Sequence, residues 1–413
     1  QNSIGGAIKL YSKKPNGTPD AYLSATYGSY NRVELRGGTN VTLVPDQLFM
    51  RLTGAGVRKD GYVTRYDYRC THPSSTIPSS ATGNDCKLGT EGGKEYVAGR
   101  MALRWIPSSR ATLDVAVDVT RDNSEVAPST LLYVGRSAAP GSTLTGVATP
   151  TAAAYLLAGN VYGTATGSPY ISYSPYGAYA QDTFSTSPFT SYENYIDIAP
   201  RDGSAPWSAP LKSALNTWGI SGTLNVDLSD ALKLTSITAY REFDGNYSSG
   251  DGSPFTPTMQ ANRVYNHQFS QEVRLSAKLG DIANLTVGGF YFHKRSRYAA
   301  RITLTTLAFN EEDTIPATNK AAFANLEVNP VQNFTILGGV RYTDQSKTFT
   351  YGRFGVPGSS SGGAVPASLA PLNGLVGKFS GDRFDYRLGA QYRFSPEAMI
   401  YGQFSTGFRG GGI

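Results

Sequence analysis

The chain has 413 residues, 40% hydrophobic and 12% aromatic, with a formal net charge of +6. It holds no run of 18 apolar residues, which excludes membrane-spanning helices but leaves spanning strands open. Its basic residues form no cluster interleaved with aromatics, so no nucleic-acid groove is expected.

Period-two alternation begins soon after the start of the chain. Residues 21–28 put Ala21, Leu23, Ala25 and Tyr27 on one side, and residues 32–41 oppose Val33, Leu35 and Val41 to Glu34 and Arg36. Residues 48–58 follow less cleanly. In 96–105, Val97, Met101, Leu103 and Trp105 alternate with Arg100 and Arg104. The cleanest early case is 111–121, where Leu113, Val115, Val117 and Val119 face away from Asp114, Asp118 and Thr120. Further strands are predicted at 218–227, 232–243 and 267–279, the last alternating Val273 and Leu275 with Glu272 and Arg274. Then come 285–294, 321–328, 334–344 (Val340 and Tyr342 against Arg341), 384–394 and 399–408. In 384–394, Phe384, Tyr386, Leu388, Ala390 and Tyr392 oppose Asp385, Arg387, Gln391 and Arg393. The count is about thirteen strands.

The connectors are lopsided. Tight, turn-rich links occur at 106–110, 228–230, 281–284, 329–332 and 395–397, whereas long ones occupy 59–94, 122–216, 245–266, 296–319 and 346–382. Short turns on one rim and long loops on the other mark a transmembrane antiparallel β-barrel of the outer-membrane type, apolar outside. Its lumen would carry Arg36, Arg100, Arg104, Glu272, Arg274, Arg341, Asp385 and Arg387, and a charged interior needs either water or a polar plug. An odd number of antiparallel strands does not close a barrel, so the chain is expected to be a fragment.

Cys70 and Cys86 are the only cysteines and lie in one long connector. A single disulfide closing about 17 residues would stabilise the loop by roughly 3 kcal/mol and requires an oxidising compartment. The alternative is two free thiols or half a zinc site, with His72 the only nearby imidazole.

Residues 1–10, Gln-Asn-Ser-Ile-Gly5-Gly6-Ala-Ile-Lys-Leu, followed by Ser12-Lys13-Lys14-Pro15, resemble the place where the plug of a TonB-dependent outer-membrane receptor passes into its barrel. The Gly5–Gly6 pair would allow close backbone approach in a packed plug. Three further stretches resemble strands of siderophore-type members. They are Phe269-Ser270-Gln271-Glu272-Val273-Arg274-Leu275, the hairpin of Ala322-Phe323-Ala324-Asn325 with Gly338-Gly339-Val340-Arg341-Tyr342-Thr343, and the run Tyr401 to Arg409, with its Ser405-x-Gly407-Phe408-Arg409.

The resemblance implies that 1–15 ends a plug and that 16–413 forms an incomplete barrel, about 13 of some 22 strands. It also implies an outer-membrane receptor embedded in lipid, coupled to TonB, and importing a scarce ligand, first of all a ferric siderophore. Cobalamin, oligosaccharides and aromatic compounds are the other cargoes. A passive porin-like channel, with 122–216 folded inward, is the alternative from another class.

A loop as long as 122–216 calls for a purpose. Tyr170, Tyr173, Tyr176, Tyr179, Tyr192, Tyr195 and Trp207 offer rigid amphipathic area for a flat, partly aromatic ligand, or simply pack the loop onto the rim. Haem is disfavoured, because Phe408-Arg409 is followed by Gly-Gly where haem receptors of this family carry Ala-Pro. No His-Glu-x-x-His occurs, and Gly377-Lys378 is followed by Phe379 where a phosphate loop needs Ser or Thr. No enzymatic activity, cofactor or resident metal is therefore expected.

Overall fold

The structure, a computed structural model, describes residues 12–73, 79, 85–130, 187–197, 200, 202–250, 252, 259–304, 307–359, 361–408 and 410–411. The first strands are β1 (Asp20–Gly28), β2 (Arg32–Val44), β3 (Leu48–Lys59), β4 (Val63–Tyr66), β5 (Lys87–Glu91), β6 (Lys94–Ser108) and β7 (Ala111–Glu125), with one helical turn, α1 (Tyr68–Thr71), after β4. Three short strands follow: β8 (Thr190–Ser191), β9 (Ile196–Asp197) and β10 (Trp207–Ser208). The long strands are β11 (Lys212–Asp227), β12 (Leu232–Gly250), β13 (Met259–Leu279), β14 (Ala283–Leu304), β15 (Leu307–Val331) and β16 (Phe334–Thr350). The last are β17 (Arg353–Phe354), β18 (Val376–Arg393) and β19 (Met399–Ser405).

Thirteen of these form one continuous antiparallel meander, β1-β2-β3-β6-β7-β11-β12-β13-β14-β15-β16-β18-β19, with β17 attached to β15. The two ends of the meander do not pair with each other, so the barrel is open. Tight reversals sit at the short-turn rim, where Gly280 and Asn333 both take φ of 65°, the left-handed conformation such turns require.

Two expected connectors are mostly strand. The stretch 245–266 is taken up by β12 running to Gly250 and β13 starting at Met259, and 296–319 by β14 running to Leu304 and β15 starting at Leu307. The ladder continues there without a lipid-facing apolar row, because that part of the wall has no lipid to face. Its apolar residues are divided between the faces, Met259 on one and Ala300, Ile302 and Phe309 on the other, where folded connectors cover them. By contrast, the outward row from Phe384 on β18 to Phe394 just past its end spans ten residue steps. That is ~33 Å along a strand and ~25 Å of height at the usual tilt, which matches the apolar band of a membrane barrel.

Candidate functional site

Residues directly opposite in an antiparallel ladder share a face. One row of partners crosses ten strands: Phe49, Arg104, Asp114, Thr223, Ile237, Glu272, Phe290, Ala321, Thr343 and Arg383. The next row holds Arg274, Gly288, Phe323, Arg341 and Asp385. Arg387 stands two residues below on the same face, and Arg36 and Arg100 occupy it at the other end of the sheet. The lipid-type residues Val97, Val273, Val340, Phe384 and Leu388 all fall on the opposite face and are exposed.

On the charged face most acids and bases are paired. Arg104 makes a two-pronged bond to Asp114 (2.7 and 3.0 Å), and Arg100 reaches Asp118 at 3.4 Å. Glu272 accepts from Arg274, and Arg383 lies 3.3 Å from Asp385. Arg341 stands apart. Its guanidinium lies 5.7 Å from the ring centres of both Phe290 and Phe323 and donates to Thr343 Oγ1 at 3.2 Å. Gly288 makes this packing feasible, since a Cβ there would fall 2.5 Å from the Phe323 ring. The arrangement is a cation held against two ring faces within a recess rimmed by carboxylates. Such a recess suits an anion with flat apolar parts.

Segment 12–19 enters along the same face. Lys14 donates to Asp114 Oδ2 at 2.8 Å, the oxygen that one prong of Arg104 also bonds, and Gly17 packs on the Phe49 ring. Gly5 and Gly6 lie outside the described residues.

Segment 351–375 also folds onto this face, above the membrane band. Arg353, 9% exposed, reaches Glu311 at 2.9 Å and Asp313 at 2.5 Å, while Leu369 packs on Ala300, Ile302 and Phe309. Burial, reinforced by Asp313, pushes the Glu311 carboxyl up to about 7. No sequence signal marked Arg353: it follows a glycine and belongs to no periodic run.

The loop aromatics divide. Tyr170, Tyr173, Tyr176 and Tyr179 lie outside the described residues. Tyr192 stands edge-on to Tyr68 and His72, with centroids at 5.2 and 5.7 Å, beside the disulfide that joins Cys70 and Cys86. Tyr195 is only 3% exposed and packs with Val126, Ala209 and Met259. Trp207 stacks on the Arg301 guanidinium at 4.4 Å. Met259 and Arg301 share the face of Val273, so the described part of 122–216 does not fold inward; the inward-folded connector is 351–375. In this arrangement Tyr195 and Trp207 pack the loop.

Beside Tyr195 lies a buried charged knot. Arg65, 3% exposed, sits over the Tyr195 ring at 5.3 Å, with Glu91 and Glu193 buried nearby. Burial pushes the Glu91 carboxyl up to about 7, with the Glu193 charge acting in the same direction. The N–H of Ser129, 3.3 Å from Glu91, and the Arg65 charge pull it down.

A family model described as "TonB dependent receptor-like, beta-barrel" matches residues 157–413. Among solved structures, the ferric yersiniabactin uptake receptor FyuA from Yersinia pestis superposes with a TM-score of 0.59 at 15% identity, over 95% of this chain and 47% of that one. The closed form of the ferric-catecholate import receptor Fiu from E. coli K12 gives 0.57 at 13%, over 98% and 52%. The siderophore receptor PiuA from Acinetobacter baumannii gives 0.57 at 10%, over 95% and 50%. At these identities the likeness is one of fold, and the chain spans about half the length of each structure.

Proposed function

The chain belongs to the family of TonB-dependent receptors and lies in the bacterial outer membrane, and from that premise we propose that it forms part of the wall of an active importer. Residues 1–15 end the plug and 16–413 belong to the barrel. The cargo is an anionic chelate with aromatic parts, a ferric siderophore first of all, captured at the outer rim and passed along the charged face when TonB pulls on the plug. Arg341 between Phe290 and Phe323 carries this reading: it pairs a positive charge with two apolar ring faces, the chemistry that a catecholate-type ligand meets best. The contact of Lys14 with Asp114 on the charged face supports the assignment of residues 1–15 to the plug. The ferric chelates named for FyuA and Fiu are the first ligands to try; cobalamin, oligosaccharides and other aromatic compounds come after them.

The test is uptake of radioactive iron as a catecholate complex by cells whose only candidate receptor is the full-length protein. Uptake that disappears when TonB is deleted supports the proposal. Uptake that persists without TonB would support the second reading, a passive channel narrowed by an infolded loop, which the inward fold of 351–375 favours.

A further inference from the structure

The outward face above the aromatic belt carries charge of its own. On β14 the belt residue is Tyr291, and His293, Arg295 and Arg297 follow it upward on the same face. On β13 the belt residue is Phe269, with His267, Tyr265 and Arg263 above it. Lys320 on β15 is the register partner of Tyr291, and Arg295 that of His267. Four residues along a tilted strand put the Arg295 Cα ~10 Å above the belt, so Lys320, His293 and Arg295 span the thickness of a headgroup layer.

The acids on this face are mostly spoken for. Arg263 grips Asp244 at 2.6 and 3.0 Å, Arg297 binds Glu312 at 2.9 Å, and Glu242 accepts from the Tyr240 hydroxyl at 3.0 Å. Arg295 and Lys320 are exposed, and no carboxylate among the described residues comes within ion-pair distance of either, including Asp344, the register partner of Lys320. His293 engages Thr318 at 3.0 Å and leaves its other nitrogen to the surroundings. Two cations and two imidazoles thus face the membrane where the phosphates of its lipids lie, and each such cation attracts an anionic surface.

We infer that Arg295 and Lys320, flanked by His267 and His293, hold the phosphates of a diphosphorylated anionic lipid in the leaflet around the barrel. The inference rests on the placement of the wall in the outer membrane and is independent of the cargo. Lys294 supplies an internal control, since it neighbours Arg295 in sequence but points to the charged inner recess.

The test titrates fluorescent diphosphoryl lipid A onto the full-length receptor in neutral detergent micelles. Arg295→Gln combined with Lys320→Gln is expected to weaken binding about tenfold or more. Lys294→Gln should leave it unchanged, and dephosphorylated lipid A should bind the unaltered receptor as poorly as the double variant binds the intact lipid. Unchanged binding by the double variant overturns the proposal, as does equal binding of the dephosphorylated lipid. Inorganic phosphate competing as well as the lipid would also overturn it, since the site would then be an anion site only. The heat-modifiable mobility of a folded barrel checks the variants; should the double variant not fold, the two lipids on the unaltered receptor decide the matter. Iron uptake by the double variant separates this result from the proposed function, which does not depend on it.

Discussion

Gly288 shows how much a single missing Cβ arranges on the inner face. An added side chain would fall 2.5 Å from the Phe323 ring and 2.7 Å from the Val273 carbonyl, and the second of these is backbone that cannot swing aside. Gly288→Val should therefore destabilise the folded barrel by about 1–3 kcal/mol, the usual range for overpacking. It should also turn Phe323 away from Arg341. Urea unfolding of the full-length receptor would read the first effect, and a loss of chelate uptake beyond the loss of folded protein the second. Gly289 is the contrast, with nothing closer than 3.9 Å to an added Cβ, so Gly289→Val should cost much less. Equal losses at the two positions would remove the packing argument. Sequence alone marks the Gly288–Gly289 pair but not which of the two is essential, because that depends on a ring that arrives from β15.

At the level of elements, segment 351–375 is held by a buried ion pair more than by apolar area. Removing the cation leaves Glu311 and Asp313 buried together, a situation that costs about 3–5 kcal/mol elsewhere. Arg353→Met should therefore raise the open population of the segment by about two to three and a half orders of magnitude. Chymotrypsin cleavage between 354 and 375 would measure this, and an unchanged cleavage rate would show that Leu369 alone holds the segment. The rim loop around Glu91 should respond to pH. Its carboxyl moves from 4.5 in the open chain to about 7 when buried, so between those values the closed loop binds an extra proton. Closure is then strongest at acid pH, weakens as pH rises through that window, and levels off above about 7. Hydrogen exchange at 61–66 and 89–93, corrected for intrinsic rates, should follow that course in the unaltered receptor and be flat in Glu91→Gln. The same slope in both would sink the assignment. Neither device was legible in the sequence. Arg353 and its acids are about forty residues apart, Glu91 and Arg65 lie on different strands, and only pairing of the strands brings them together.

For the whole molecule, the legible and illegible parts divide at the membrane surface. Within the band, lipid on one side and polar lumen on the other impose a period of two, so Val273 against Arg274 or Leu388 against Arg387 declares both strand and face. Above the band folded connectors rather than lipid cover the wall, its apolar residues fall on both faces, and 296–319 looks like loop although it is ladder to within two residues of its tip. The same asymmetry gives a depth test on β18. Leu388 lies near the middle of the outward row that starts at Phe384, while Arg387 beside it faces the lumen. An arginine at the mid-depth of the lipid face costs about 2–4 kcal/mol, falling to about 0–1 near the interface. Refolded into phosphatidylcholine vesicles, full-length Leu388→Arg should lose stability in that upper range and Phe384→Arg in the lower one. Arg387→Leu, on the wet face, should change stability little, because it removes a solvated charge and buries nothing in lipid. If Leu388→Arg and Phe384→Arg cost the same, the band is not where the aromatic rows put it, and the lipid-facing placement of Arg295 and Lys320 falls with it.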